Sequence, residues 1–128
     1  MTAKILVVDD IAANVKLLQA RLSAEYYEVA TAANGPDALA ICAQGGIDLV
    51  LLDIMMPGMD GYQVLGHIKA DDRLHHTPVI MISALHEVQS VVRCIEAGAE
   101  DYLAKPFDPT LLRARIGASL EKKRGRDR

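Results

Sequence analysis

Short runs of consecutive apolar residues alternate along the chain with segments whose apolar positions recur at helical spacing. Ile5-Leu6-Val7-Val8 is the first run, and its β-branched content predicts a buried strand. Val15, Leu18 and Leu22 follow at helical spacing through Ala24. Tyr27 to Ala32 reads as a second, weaker strand. Gly35-Pro36 then opens a short helix carrying Ala38, Leu39 and Cys42, and Gly45-Gly46 stops it. Leu49-Val50-Leu51-Leu52 is the third strand and the most apolar. Pro57-Gly58-Met59-Asp60-Gly61 is a loop, after which Val64, Leu65 and Ile68 form a helix face. Val79-Ile80-Met81-Ile82 is the fourth strand. Val88, Val91, Val92 and Ile95 line a further helix ended by Gly98. Tyr102-Leu103 marks a short fifth strand, and Pro109 opens a last helix with Leu112, Ile116 and Leu120.

Five strand–helix units result. Strands apolar throughout, separated by amphipathic helices, predict a parallel sheet covered on both faces with right-handed crossovers. Five strands are too few for a closed barrel. The expected fold is therefore α/β, a five-stranded parallel doubly wound sheet of the flavodoxin-like order 2-1-3-4-5, with five helices.

The length of 128 residues fits one domain, and 51% hydrophobic content excludes a disordered chain. The formal net charge is −3. It is unevenly spread: residues 121–128 carry +3, leaving −6 on residues 1–120. An acidic body argues against direct nucleic-acid binding, which needs a basic face. Cys42 and Cys94 lie far apart without metal-ligand spacing and are expected as buried apolar residues in a reducing compartment. His67, His75, His76 and His86 show no third partner for a metal and are expected at the surface. No run approaches the roughly 20 apolar residues of a membrane span, and no secretory segment is visible. A cytoplasmic protein without membrane contact is expected.

Each polar residue of interest directly follows a strand. Asp9 and Asp10 follow the first, Asp53 the third, Ser83 the fourth and Lys105 the fifth. In open α/β sheets the functional crevice lies at the carboxyl ends of the strands, at the point where the winding reverses. Strands one and three are neighbours there, so the three carboxylates should converge. Their mutual repulsion is relieved by a divalent cation, and an all-oxygen ligand set suits Mg²⁺ (or Mn²⁺). Ser83 offers a hydroxyl and Lys105 a point charge, both apt for phosphate oxygens. Together these are the parts for phosphoryl transfer onto a carboxylate. Singly, each has a plainer use: Asp9-Asp10 as a helix cap, Asp53 as a turn residue before Pro57, Lys105-Pro106 as a loop. Only their joint placement after four strands carries the signal.

Asp9-Asp10, the run Leu51-Leu52-Asp53-Ile54-Met55-Met56-Pro57-Gly58-Met59-Asp60-Gly61, Ser83-Ala84 and Lys105-Pro106 resemble a response-regulator receiver domain of the CheY-like family. The resemblance covers about residues 3–121. The opening Val-Val-Asp-Asp-Ile-Ala-Ala-Asn is similar to the first receiver of PleD-type diguanylate cyclases and, more loosely, to receivers of hybrid kinases. The resemblance implies that Asp53 is the phospho-acceptor, attacking a phosphohistidine of a sensor kinase or phosphotransfer protein. It implies Asp10, Asp53 and the backbone carbonyl of Met55 as Mg²⁺ ligands, with Asp9 holding the metal through water. Lys105 matches the phosphate-binding lysine, with a cis bond expected before Pro106. Ser83 matches the switch hydroxyl, more often Thr in the family, and Tyr102 the switch aromatic. Phosphorylation adds negative charge and acceptor oxygens; Ser83 and Lys105 turn to them, Tyr102 moves inward, and the surface of the fourth helix, fifth strand and fifth helix repacks. A phosphorylation-dependent homodimer through that surface is expected.

Rival readings make distinct demands. An aspartyl-phosphate phosphohydrolase needs a general acid two residues past the nucleophile, where this chain has Met55. An FMN carrier needs a phosphate loop where Asp9 and Asp10 stand and would repel the phosphate. A pseudo-receiver serving only as a dimerisation module leaves the full set of polar residues unexplained. Asn14 borders the expected site or lies on the helix surface. Residues 1–121 are read as the receiver, and 122–128 as a basic tail beginning a linker to an output domain in cis.

Overall fold

The structure, a computed structural model, describes residues 2–84 and 87–126. Ten elements alternate: β1 Lys4–Val8, α1 Ala12–Ala24, β2 Glu28–Ala32, α2 Gly35–Ala43, β3 Leu49–Asp53, α3 Gly61–Ala70, β4 Val79–Ser83, α4 Val88–Glu96, β5 Asp101–Ala104 and α5 Pro109–Arg126. The strands form one parallel sheet in the order β2-β1-β3-β4-β5. The flavodoxin-like prediction holds, with each strand within about a residue of its apolar run.

Alternation along the strands builds two cores. Ile5, Val7, Leu49, Leu51, Ile80, Ile82 and Leu103 face α1 and α5, meeting Leu18, Leu22, Leu112 and Ile116. Leu6, Val8, Val50, Leu52, Val79 and Met81 face the other way, towards Ala38 and Cys42 of α2, Val64, Leu65 and Ile68 of α3 and Cys94 of α4. Burial on both faces is why these strands read as continuous apolar runs. Asn34 caps α2 by accepting from the Asp37 N–H, and Gly45 and Gly46 leave that helix at positive φ, 83° and 86°. Cys42 and Cys94 are free and buried, as expected.

One helix departs from its sequence pattern. Val88, Val92 and Ile95 of α4 are not turned to the sheet; they are 76%, 45% and 49% exposed, while Ser90 and Cys94 are the buried positions. Periodicity locates an apolar stripe but does not say which way it faces. The expected tail is also part of a longer element, since α5 runs unbroken to Arg126. Lys122 pairs with Glu100 at 3.6 Å and Lys123 with Asp48 at 3.7 Å, so this stretch lies back on the domain. The anticipated surface position of His86 lies outside the described residues. His67 and His76 are exposed, and His75 is half-buried with its ring 4.0 Å from that of His76.

Candidate functional site

The parallel register places the polar residues. Val8 pairs with Leu52, which brings Asp9 beside Asp53. Asp53 pairs with Ile82 and Ser83 with Ala104. The backbone ladder continues past the strand ends, with the Lys105 N–H donating to the Ser83 carbonyl at 2.8 Å. Lys105 is thereby held beside the carboxylates, and its bond to Pro106 is cis, as the family resemblance implies. Beneath Asp53 the chain turns into α3 in close quarters. The Gly61 N–H donates to the Ile54 carbonyl at 2.9 Å, and a Cβ at Gly61 would stand 2.5 Å from the Asp53 carbonyl oxygen. Only glycine lets α3 begin so near the strand end.

Asp9 and Asp53 are 2% and 5% exposed, and Asp10 stands at the open edge. Oxygens of all three lie within 4.8 Å of one another, the one such group among the described residues. Lys105 Nζ donates to Asp9 Oδ2 at 3.0 Å and to Asp53 Oδ1 at 3.4 Å. Burial pushes the Asp53 carboxyl above the usual aspartate range; Lys105 opposes this, and the neighbouring charge of Asp9 adds to it. Burial works against the charge on Lys105, but its bond to Asp9 and the charge of Asp53 outweigh that and hold it above the ordinary lysine range. Three carboxylates against one ammonium leave excess negative charge in a partly dry pocket. An oxygen-only set of this kind fits a hard divalent cation, which would offset that excess.

The neighbouring polar pair lies on the other face of the sheet. Asp53 shares the face of Leu49 and Leu51, whereas Ser83 follows Val79 and Met81 towards α3 and α4. Ser83 is fully buried and hydrogen-bonded to the Tyr102 hydroxyl. Burial raises the Tyr102 phenol and the Ser83 bond partly offsets it. Beyond it, the Tyr62 hydroxyl of α3 lies near Ser90 and Cys94 of α4, and the Arg93 guanidinium lies 3.7 Å above the Tyr62 ring. The site thus begins on the α1–α5 face with carboxylates and continues on the α3–α4 face through hydroxyls.

Asp9, Asp10, Asp53 and Lys105 are brought together as the sequence predicts. Ser83 and Tyr102 adjoin them as a bonded pair. Met55 lies just past Asp53 with its side chain exposed, at the mouth of a groove bounded by Pro57, Asp60, Tyr62 and Arg93. Tyr62, Ser90 and Arg93 were not anticipated, because nothing in their local sequence marks a polar link between two helices.

This arrangement of fold, acidic pocket and facing lysine belongs to the receiver domains of two-component signalling. Residues 5–117 match the response regulator receiver domain family, and the chain belongs to it. The chain is 53% identical over 116 residues to the response regulator PleD of Caulobacter vibrioides; the match covers 91% of the chain and 26% of that protein. It is 45% identical over 119 residues to a transcriptional regulator of Guillardia theta, covering 93% of the chain and 46% of the relative. The chain therefore spans between a quarter and half the length of these relatives. Among solved structures, a CheY-like receiver domain protein of Methanospirillum hungatei superposes with a TM-score of 0.91 at 28% identity, covering 98% of this chain and 99% of that one. The chemotaxis protein CheY4 of Vibrio cholerae gives 0.88 at 28% identity, over 93% and 99%. Among the described residues no helix is long and apolar enough to cross a membrane.

Proposed function

We propose that Asp53 accepts a phosphoryl group from the phosphohistidine of a sensor histidine kinase or phosphotransfer protein, and that the domain thereby switches an interaction surface. An Asp53 carboxylate oxygen forms a bond to phosphorus as the phosphorus–nitrogen bond of the donor breaks. Asp10, Asp53 and the backbone carbonyl of Met55 would hold Mg²⁺ (or Mn²⁺), with Asp9 reaching it through water. The cation, when bound, offsets the charge of the carboxylates and of the incoming phosphoryl oxygens. Lys105 already spans Asp9 and Asp53 and turns its ammonium to a phosphoryl oxygen. Ser83 leaves its bond with Tyr102 for another phosphoryl oxygen, and Tyr102 resettles under α4. The surface formed by α4, β5 and α5 passes the change on, to a second copy of the domain or to an output domain in cis beyond a receiver of residues 1–121. The domain acts as a phospho-acceptor that assists its own phosphorylation and dephosphorylation, in the cytoplasm, with no direct part for nucleic acid.

The observation that carries this reading is the meeting of Asp9, Asp10 and Asp53 with the Lys105 ammonium at one sheet edge in a chain of the receiver family. The phosphohydrolase alternative is disfavoured by Met55, whose exposed thioether at the mouth has no proton to give. Incubation with Mg²⁺ and acetyl phosphate is expected to label the wild-type protein and not Asp53→Asn. An unlabelled wild type, or a labelled Asp53→Asn, overturns it. The same variant gives a pH test. The Asp53 carboxyl titrates higher folded than unfolded, so its ionised form costs stability once pH rises past the folded value. Without Mg²⁺, Asp53→Asn should melt above wild type near neutral pH. That gain should vanish below the ordinary aspartate range and shrink when Mg²⁺ is added.

A further inference from the structure

Asn14 of α1 donates from Nδ2 to Asp9 Oδ2 at 3.2 Å. This is the same oxygen that Lys105 holds at 3.0 Å. The other Asp9 oxygen, Oδ1, accepts from the Ile11 N–H at 2.9 Å. Ile11 occupies the N-cap of α1 and has no side chain able to cap it. The Asp9 carboxylate therefore ties the start of α1 to the sheet edge, and Asn14, in the first turn, closes that tie. Asn14 is half-buried and lines a cavity of about 370 Å³ with Ala84, Lys105 and Pro106.

Resting on the phospho-acceptor reading above, we propose that Asn14 is a positioning residue for phosphoryl transfer, supplying the donor that keeps Asp9 satisfied when Lys105 leaves it. In the resting domain the lysine is shared between Asp9 and Asp53. To pair with a phosphoryl oxygen on Asp53 it must give up its bond to Asp9 Oδ2. Asp9 is 2% exposed, so, apart from the metal-bound water assigned to it above, water does not readily replace the lost donor. An oxygen left unpaired there would hold the lysine back. Asn14 already occupies that oxygen, so the lysine can leave without orphaning it. The amide is neutral and competes for Asp9 more weakly than an ammonium does. It therefore secures the carboxylate without adding a charge that would have to be released later.

The test follows phosphorylation by acetyl phosphate at saturating Mg²⁺ in wild type, Asn14→Ala and Asn14→Asp. The last keeps the side-chain shape, loses the donor and adds a charge, and it carries the test should Asn14→Ala fail to fold. Both variants are expected to phosphorylate about tenfold or more slowly, the usual scale of one hydrogen bond to a charged group. The fall should appear in kcat, with KM for acetyl phosphate within about twofold of wild type in both variants and the apparent Kd for Mg²⁺ within about twofold in Asn14→Ala; the added carboxylate of Asn14→Asp is expected to tighten Mg²⁺ instead. A purely structural Asn14 would lower Tm and leave the rate of the folded protein unchanged. A second readout needs neither metal nor turnover. The Asn14 side-chain amide protons of metal-free wild type should be protected from exchange, and should stay protected in the beryllofluoride adduct. Wild-type rates in both variants, or loss of that protection in the adduct, overturn the proposal. A wild type that takes no label at Asp53 defeats the phospho-acceptor reading itself.

Discussion

α3 and α4 pack on the same face of the sheet and meet the same core, yet they are held in different ways. α3 buries Val64, Leu65 and Ile68 completely. Its start is closed by a reciprocal capping box, in which Asp60 accepts from the Gln63 N–H and Gln63 from the Asp60 N–H, both at 2.9 Å. Gly61 then presses the helix against the Asp53–Ile54 backbone. α4 has none of these anchors. No side chain caps it, its buried residues are Ser90 and Cys94, Val91 is only half-buried, and Val88, Val92 and Ile95 point outwards. Burial of apolar area is the main stabiliser, at about 25 cal/mol per Å². α3 is therefore a fixed part of the scaffold, and α4 is an element with little to lose by moving. The Ser83–Tyr102 pair lies on this face, next to the more loosely held helix. If Asp53 is the acceptor as proposed, a domain that reports an event there needs both: a rigid floor under it and a neighbour that shifts at small cost.

The largest test of that contrast is Leu65→Ala. Removing a fully buried leucine from α3 should cost about 2–5 kcal/mol of unfolding free energy, read from urea titration. The fraction that remains folded should still phosphorylate, because Leu65 does not belong to the polar site. A loss below about 1 kcal/mol would show that α3 is no better anchored than α4.

Much of this contrast was beyond the reach of the sequence. The five strands were plain in it, because a sheet covered on both faces leaves uninterrupted apolar runs such as Leu49-Val50-Leu51-Leu52. The gathering of Asp9, Asp53 and Lys105 across 96 positions followed once the strand order was inferred, since each stands one step beyond a strand or at its last residue. The direction of α4 did not follow. Val88, Val92 and Ile95 give the same spacing whether the stripe faces core or solvent, and only the packing of Ser90 and Cys94 decides it. Nor did the donor role of Asn14, whose position five residues past Asp9 suited a helix surface equally well. The Tyr62 link between helices joins residues on two elements with no shared motif, so only the tertiary structure reveals it.

That link gives a test of intermediate size. Tyr62→Phe keeps the ring and its contact with Arg93 while deleting the hydroxyl that lies near Ser90 and Cys94. The expected cost is about 1 kcal/mol. Hydrogen exchange should quicken in α4 and stay slow in α3. Equal acceleration in both helices would mean that the hydroxyl serves the shared core and is no particular tether of α4.

The smallest effect on stability is expected at Val92→Ser, and it is the sharpest on the comparison. Val92 is 45% exposed on α4, with Val88 and Ile95 on either side of it along the chain. Placing a hydroxyl there should leave unfolding within about 0.5 kcal/mol of wild type, as for other surface changes. The same substitution shrinks an exposed apolar patch of the kind that marks an interaction surface. Sedimentation with and without beryllofluoride separates the two roles of the residue. A stripe kept for a partner predicts unchanged folding and weaker self-association of the activated domain. A loss of 2 kcal/mol or more would instead place Val92 in a packed interior. α4 would then be anchored as firmly as α3, and a different element would have to carry the signal away from Asp53.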